Sequence, residues 1–146
     1  MTNHPRFVHK AMASASQIAQ DITQLVERLA VGIIRSVQEN LEASTPVDTT
    51  WARSNWMPSI GSPFLRGLSA LDRSPTAQAA SVQAQFQDSA KTSLASYRLS
   101  SGPLFVSNNV PYINDLNDGK SPQAPAFFVQ RAIAKAVRED IRGIRL

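Results

Sequence analysis

Few residues in this chain have the means to do chemistry. Asp115 and Asp118, three positions apart, could act as a general acid and base if a shaped polar pocket stood around them. A loop cap ahead of Gly119 accounts for them more simply. The run Asp118 to Ser121, "DGKS", looks like the end of a phosphate-binding loop. Such a loop needs another glycine five positions before Gly119, where this chain has Asn114, and a helix after the serine, where it has Pro122. His4 and His9 are the only histidines and there is no cysteine. A Ser/His/Asp triad, a His-rich metal site and a thiolate metal site therefore lack their parts. The pattern points away from catalysis and calls for no cofactor and no metal.

Two stretches are more informative. "STPVDTTWARSNW", residues 44–56, holds both tryptophans, Trp51 and Trp56. Pro46 sets the chain's exit from a preceding helix, Val47 can staple the turn to the core, and the Asp48 carboxylate can accept backbone N–H groups. The β-formers of "TWARSNWM", residues 50–57, predict a strand. On its pleat Arg53 and Trp56 point to opposite faces, so one tryptophan packs on the core while the other side meets a partner or solvent. The second stretch is "NNVPYINDLNDGKSPQAPAFF", residues 108–128. Asn108 and Asn109 tolerate a left-handed turn, Tyr112 and Leu116 share one side of a short helical turn, and Gly119 ends it. Ser121 to Pro125 form a rigid lead into a last helix.

The elements that must position these residues follow from periodicity. Ile18, Ile22, Leu25, Val26, Leu29, Ile33, Val37 and Leu41 recur at threes and fours and predict a long helix over 14–43, after a flexible arm at 1–13. Residues 58–74 read as a long loop whose Phe64, Leu65 and Leu68 offer a partner contact or fold back on the core. Ser74 and Pro75 start a middle helix with Val82, Phe86, Ala90 and Leu94 on one face, ending before Tyr97. Leu104 to Ser107 form a strand, with Tyr97 to Leu99 as its hairpin partner. A C-terminal helix over 126–142 places Val129, Ile133, Val137 and Ile141, with Ile144 just beyond, on a buried line. Arg131, Lys135, Arg138, Arg142 and Arg145 stand opposite.

The sum is an α+β domain: a long N-terminal helix and a C-terminal helix packed on a small, mainly antiparallel sheet, with one additional middle helix and a long loop. A length of 146 residues suits one such core. No apolar run is long enough for a membrane span, and "MTNHPRFVHK" lacks the apolar centre of a secretory signal. The net charge of +4 resides at the two ends of the chain, and the basic C-terminal face can meet DNA or an acidic partner.

A helix, then "TPVDTTWARSNW", then "NNVPYINDLNDGKSPQAPAFFV" and a terminal helix resembles the neck and tail-completion proteins of long-tailed bacteriophages, of the minor tail protein Z type. The resemblance covers roughly residues 15–142. Pro46, Val47, Asp48, Thr49, Arg53, Asn55 and Trp56 match the family's first pattern. Asn109, Tyr112, Leu116, Gly119, Ser121, Gln123, Ala124 and Pro125 match its second. Thr50 stands where the family has glycine, and because a β-branched residue resists positive φ the turn is expected to differ in shape.

The resemblance implies a virion structural protein with no enzymatic activity, assembled in the host cytoplasm and carried in the virion neck. Its partners would be copies of itself in a closed ring, a hexamer in preference to a dodecamer, together with the head-connector and tail-tube proteins. Nonspecific contact with packaged DNA stays open. The rival class is a small basic nucleic-acid-binding module that uses both charged ends, though no recognisable groove-reading frame accompanies them.

Overall fold

In a computed structural model the first helix, α1, runs from Pro5 to Ser44. The structure describes residues 5–46, 50–65 and 76–143, with side chains from residue 9 onward. The expected arm at 1–13 is thus helical from Pro5. Proline is tolerated in a first helical turn, and Ala11, Ala13 and Ala15 are strong helix formers. The far end closes on Leu41, whose carbonyl accepts the Thr45 N–H at 3.0 Å and the Thr45 hydroxyl at 2.6 Å. Pro46, buried, then prevents continuation.

Residues 51–54 correct the strand expected over 50–57. Trp51–Ser54 form a single helical turn, α2, entered through Thr50 at φ 60°. The Ser54 hydroxyl and the Asn55 amide both donate to the Trp51 carbonyl, at 3.0 and 2.8 Å, and this local closure outcompetes the β preference of the aromatic residues. Thr50 therefore adopts the left-handed backbone that its branched side chain was expected to resist. Strand β1 follows at Met57–Ile60 and pairs antiparallel with β2, Leu104–Ser107, in the register Met57↔Ser107 to Ile60↔Leu104. The predicted β2 is thus in place, but its partner is β1 and not Tyr97 to Leu99. The Tyr97 hydroxyl instead donates to the Gly102 carbonyl at 3.1 Å, and Leu99–Ser101 curl into a 3-10 turn.

Helix α3 spans Ala77–Ser93 and is capped by Thr76, whose hydroxyl accepts the Ala79 N–H at 3.1 Å. Ser74 and Pro75, the expected start, lie outside the described residues. Its buried face is Ala80, Gln83 and Gln87, continued by Leu94 in the next turn, while Val82 and Phe86 are exposed. The expected face thus holds at half-buried Ala90 and buried Leu94 but gives way at Val82 and Phe86 to Gln83 and Gln87, the latter drawn inward by hydrogen bonds described below.

After the short helix α4, Ile113–Asn117, the last helix α5 covers Phe128–Gly143. It presses Phe128, Ala132 and Ala136 into one core with Val37 and Leu41 of α1, Trp56 and Ala124. The expected line holds only in part: Val129 packs on this core and Val137 is half-buried, but Ile133 and Ile141 are exposed, which corrects the rest of the line among the described residues. The seam is turned by one residue, about 100°. Alanines let the two helix backbones approach closely enough for the branched side chains of α1 to fill the gap.

Candidate functional site

The first motif builds a joint among α1, α2, α3 and β1. The Trp56 indole lies in the α1–α5 core and donates through Nε1 to the Thr45 hydroxyl at 2.8 Å. Its backbone carbonyl accepts from two side-chain amides, Gln38 Nε2 of α1 and Gln87 Nε2 of α3, both at 2.9 Å. Gln87 also donates to the Arg53 carbonyl at 3.1 Å, and Arg53 Nη2 donates to the Thr45 carbonyl at 3.2 Å. The amides of Gln38 and Gln87 and Arg53 Nη2 thus donate to backbone carbonyls that helix and sheet leave free, while Gln38 Oε1 and Arg53 Nε are buried without a hydrogen-bond partner.

Trp51 belongs to a second core with Ala52, Ala80 and Val110. Both tryptophans are therefore buried, at 2% and 5% exposure, and the expected split between core and partner faces does not hold. On a helical turn followed by an extended step, they enter two cores on either side of the joint. Val47, Asp48 and Thr49 lie outside the described residues.

The second motif folds onto the same joint. Asn108 Nδ2 donates to the Ala52 carbonyl at 2.8 Å and its Oδ1 accepts the Val110 N–H at 3.1 Å. Asn109 Nδ2 reaches the Phe64 carbonyl at 2.8 Å. Tyr112 packs on the Trp51 core, Leu116 touches both cores, and Ala124 sits beside Trp56. Gly119 has φ 86°, and a Cβ there would stand 3.0 Å from that of Ala126. Ser121 accepts the Gln123 N–H through its hydroxyl at 3.2 Å, and exposed Pro125 lies between them and α5.

Asn117 was not legible in advance. Its Oδ1 accepts the Val129 N–H at 3.0 Å and its carbonyl accepts the Phe127 N–H at 2.6 Å. It thus caps α5 from ten residues before Phe127, whose own side chain cannot cap. Phe127 is held at φ 61° with its ring more than half exposed. The only advance signal was asparagine's general taste for such positions.

The remaining candidate residues lie apart from the joint. Leu65 is exposed and Phe64 half-buried, while Leu68 lies outside the described residues. Arg131, Lys135, Arg138 and Arg142 form an exposed row, with Lys135 3.8 Å from Glu139, and Arg145 lies outside. Asp115 pairs with Lys120, whose ammonium is held above its ordinary 10.5 by that hydrogen bond and charge. Among the described residues no three of His, Cys, Asp and Glu gather as metal ligands, and no helix is long and apolar enough to cross a membrane. A groove of about 490 Å³ between α1 and the 3-10 turns is lined by Gln24, Glu27, Arg28, Gly32, Arg35 and Arg98. Glu27 accepts the Leu99 N–H there at 2.9 Å, and Arg28, Arg35 and Arg98 outweigh its single negative charge in the groove. Comparison of the chain with family models, curated proteins and solved structures finds no significant match.

Proposed function

We propose that this chain is a virion structural protein of a long-tailed bacteriophage, forming a ring at the neck that completes the tail and joins it to the head connector. The observation that carries the reading is the convergence of the two motif halves on one joint. Trp51, Ala52 and Trp56 from the first meet Asn108, Tyr112, Leu116 and Ala124 from the second beside the end of α1, while Arg53 ties the first to the Thr45 carbonyl. Their polar atoms hold backbone in place, which suits a rigid subunit whose interface angles must close a ring. Light scattering and electron microscopy of the purified chain test this, with a closed ring expected. A chain that stays monomeric up to millimolar concentration, or that turns over a substrate, refutes it.

The arginine-lined groove favours a second reading, a nucleic-acid-binding module. Gel shifts at rising salt separate the two. Weak binding that vanishes with salt fits phosphate contact by a neck protein, whereas sequence-selective, salt-resistant binding supports the module.

A further inference from the structure

α1 is seated in the core over only part of its length. Every residue from 9 to 26 is exposed, including Ile18 at 59% and Ile22 at 56%. A bare stretch of this length is marginal as a helix in water, and a row of apolar side chains along it is an interaction surface. Ile18, Ile22 and Val26 step by fours, a ridge about 12 Å long that continues the side of α1 on which Ile33, Val37 and Leu41 pack. Ala15 and Ala19 beside it leave room for close approach.

α5 carries a ridge of the same step and length. Ile133 and Ile141 are 41% and 57% exposed, with half-buried Val137 between them. This ridge lies about 100° around α5 from the Ala132–Ala136 seam, on the helix flank, where Ile133 and Ile141 are left exposed. Two ridges built on the i±4 rows interdigitate in the commonest helix-packing class, crossing at about −50°.

We propose that the α1 ridge Ile18–Ile22–Val26 of one copy seats the outer α5 ridge Ile133–Val137–Ile141 of the next. The inference rests on the ring reading above and names its interface. Each copy then offers one ridge of each kind, so a head-to-tail contact repeated around a ring leaves neither bare. Pairing α1 with α1 would bury one ridge and strand the other. Asp21, the one acid among residues 9–26, flanks the α1 ridge and suits the Arg138 and Arg142 flank of α5.

The chain has no cysteine, so single thiols report the contact cleanly. Ile22→Cys and Ile133→Cys are treated with a short bis-maleimide, separately, mixed in equal amounts, and combined in one chain. The expected result is no dimer from either alone, one dimer from the mixture, and a ladder from the double variant. Ile22→Glu should weaken assembly by on the order of tenfold or more while leaving the monomer's melting unchanged, since its side chain touches no core. A dimer from Ile22→Cys alone overturns the proposal in favour of α1–α1 pairing. Rings that form without any cross-link overturn this interface and leave the ring standing. A chain that never assembles refutes both.

Discussion

Replacing Trp56 with alanine removes an indole that is 5% exposed and packed among Leu41, Ala124 and Phe128. Truncating a buried tryptophan costs about 3 to 5 kcal/mol in lost transfer energy and residual cavity. The 2.8 Å bond from Nε1 to the Thr45 hydroxyl contributes about 1 kcal/mol of that, since Thr45 keeps its own bond to the Leu41 carbonyl. About 4 kcal/mol is a large share of the roughly 5 to 15 kcal/mol that holds a domain folded. For a chain of this size it lowers Tm by on the order of 10 °C. Urea unfolding followed by the fluorescence of Trp51 measures it, with a fall in midpoint at constant slope. Trp56→Phe, which keeps most of the ring and loses the N–H, should lose only about 1 to 2 kcal/mol. A Trp56→Ala midpoint unchanged within error, with assembly abolished, would mean that the indole serves an interface, and the account of the joint would be wrong.

Gln87→Leu deletes both bonds to the Arg53 and Trp56 carbonyls and should cost about 2 kcal/mol in the same unfolding assay, a loss that Gln87→Glu does not restore because a carboxylate cannot donate. Asn117→Ala uncaps α5 and should cost about 1 kcal/mol, with amide exchange at Val129 accelerating before that of the helix interior. Gly119→Ala should cost more than about 1 kcal/mol, because the residue sits at φ 86° and the added methyl meets Ala126; a neutral melting curve would show that the turn reshapes freely.

How far the sequence could be read depended on whether the deciding interaction was local. The periodic apolar positions of α1 and α5 predict helices because i, i+3 and i+4 positions share a face within one segment. Even so, α1 begins nine residues earlier than expected, where alanines rather than apolar period carry the helix. Gly119 could be placed as a terminator because its role depends on its own backbone, and Leu104 to Ser107 as a strand because four residues with β preference stand between turn signals. Of the joint, the residues were identifiable but their roles were not. Trp51 and Trp56 stood out by type, yet their assignment to two cores depends on Ala80 and Phe128, which lie far along the chain.

What the sequence by itself determined is therefore the set of long helices, one strand, the glycine turn and the residues that would cluster. The tertiary structure decided the rest: α2 in place of a strand, β1 as the partner of β2, Gln83 and Gln87 in place of Val82 and Phe86 on the buried face of α3, the Ala132–Ala136 seam of α5, and the cap that Asn117 supplies to a helix other than its own. Each of those outcomes is a competition between a local preference and contacts made across the fold. Polar side chains such as Gln38 and Gln87, which donate to carbonyls, and Asn117, which accepts an N–H, win it because a backbone polar group left without a partner costs more than a displaced side chain or an unfavourable backbone angle.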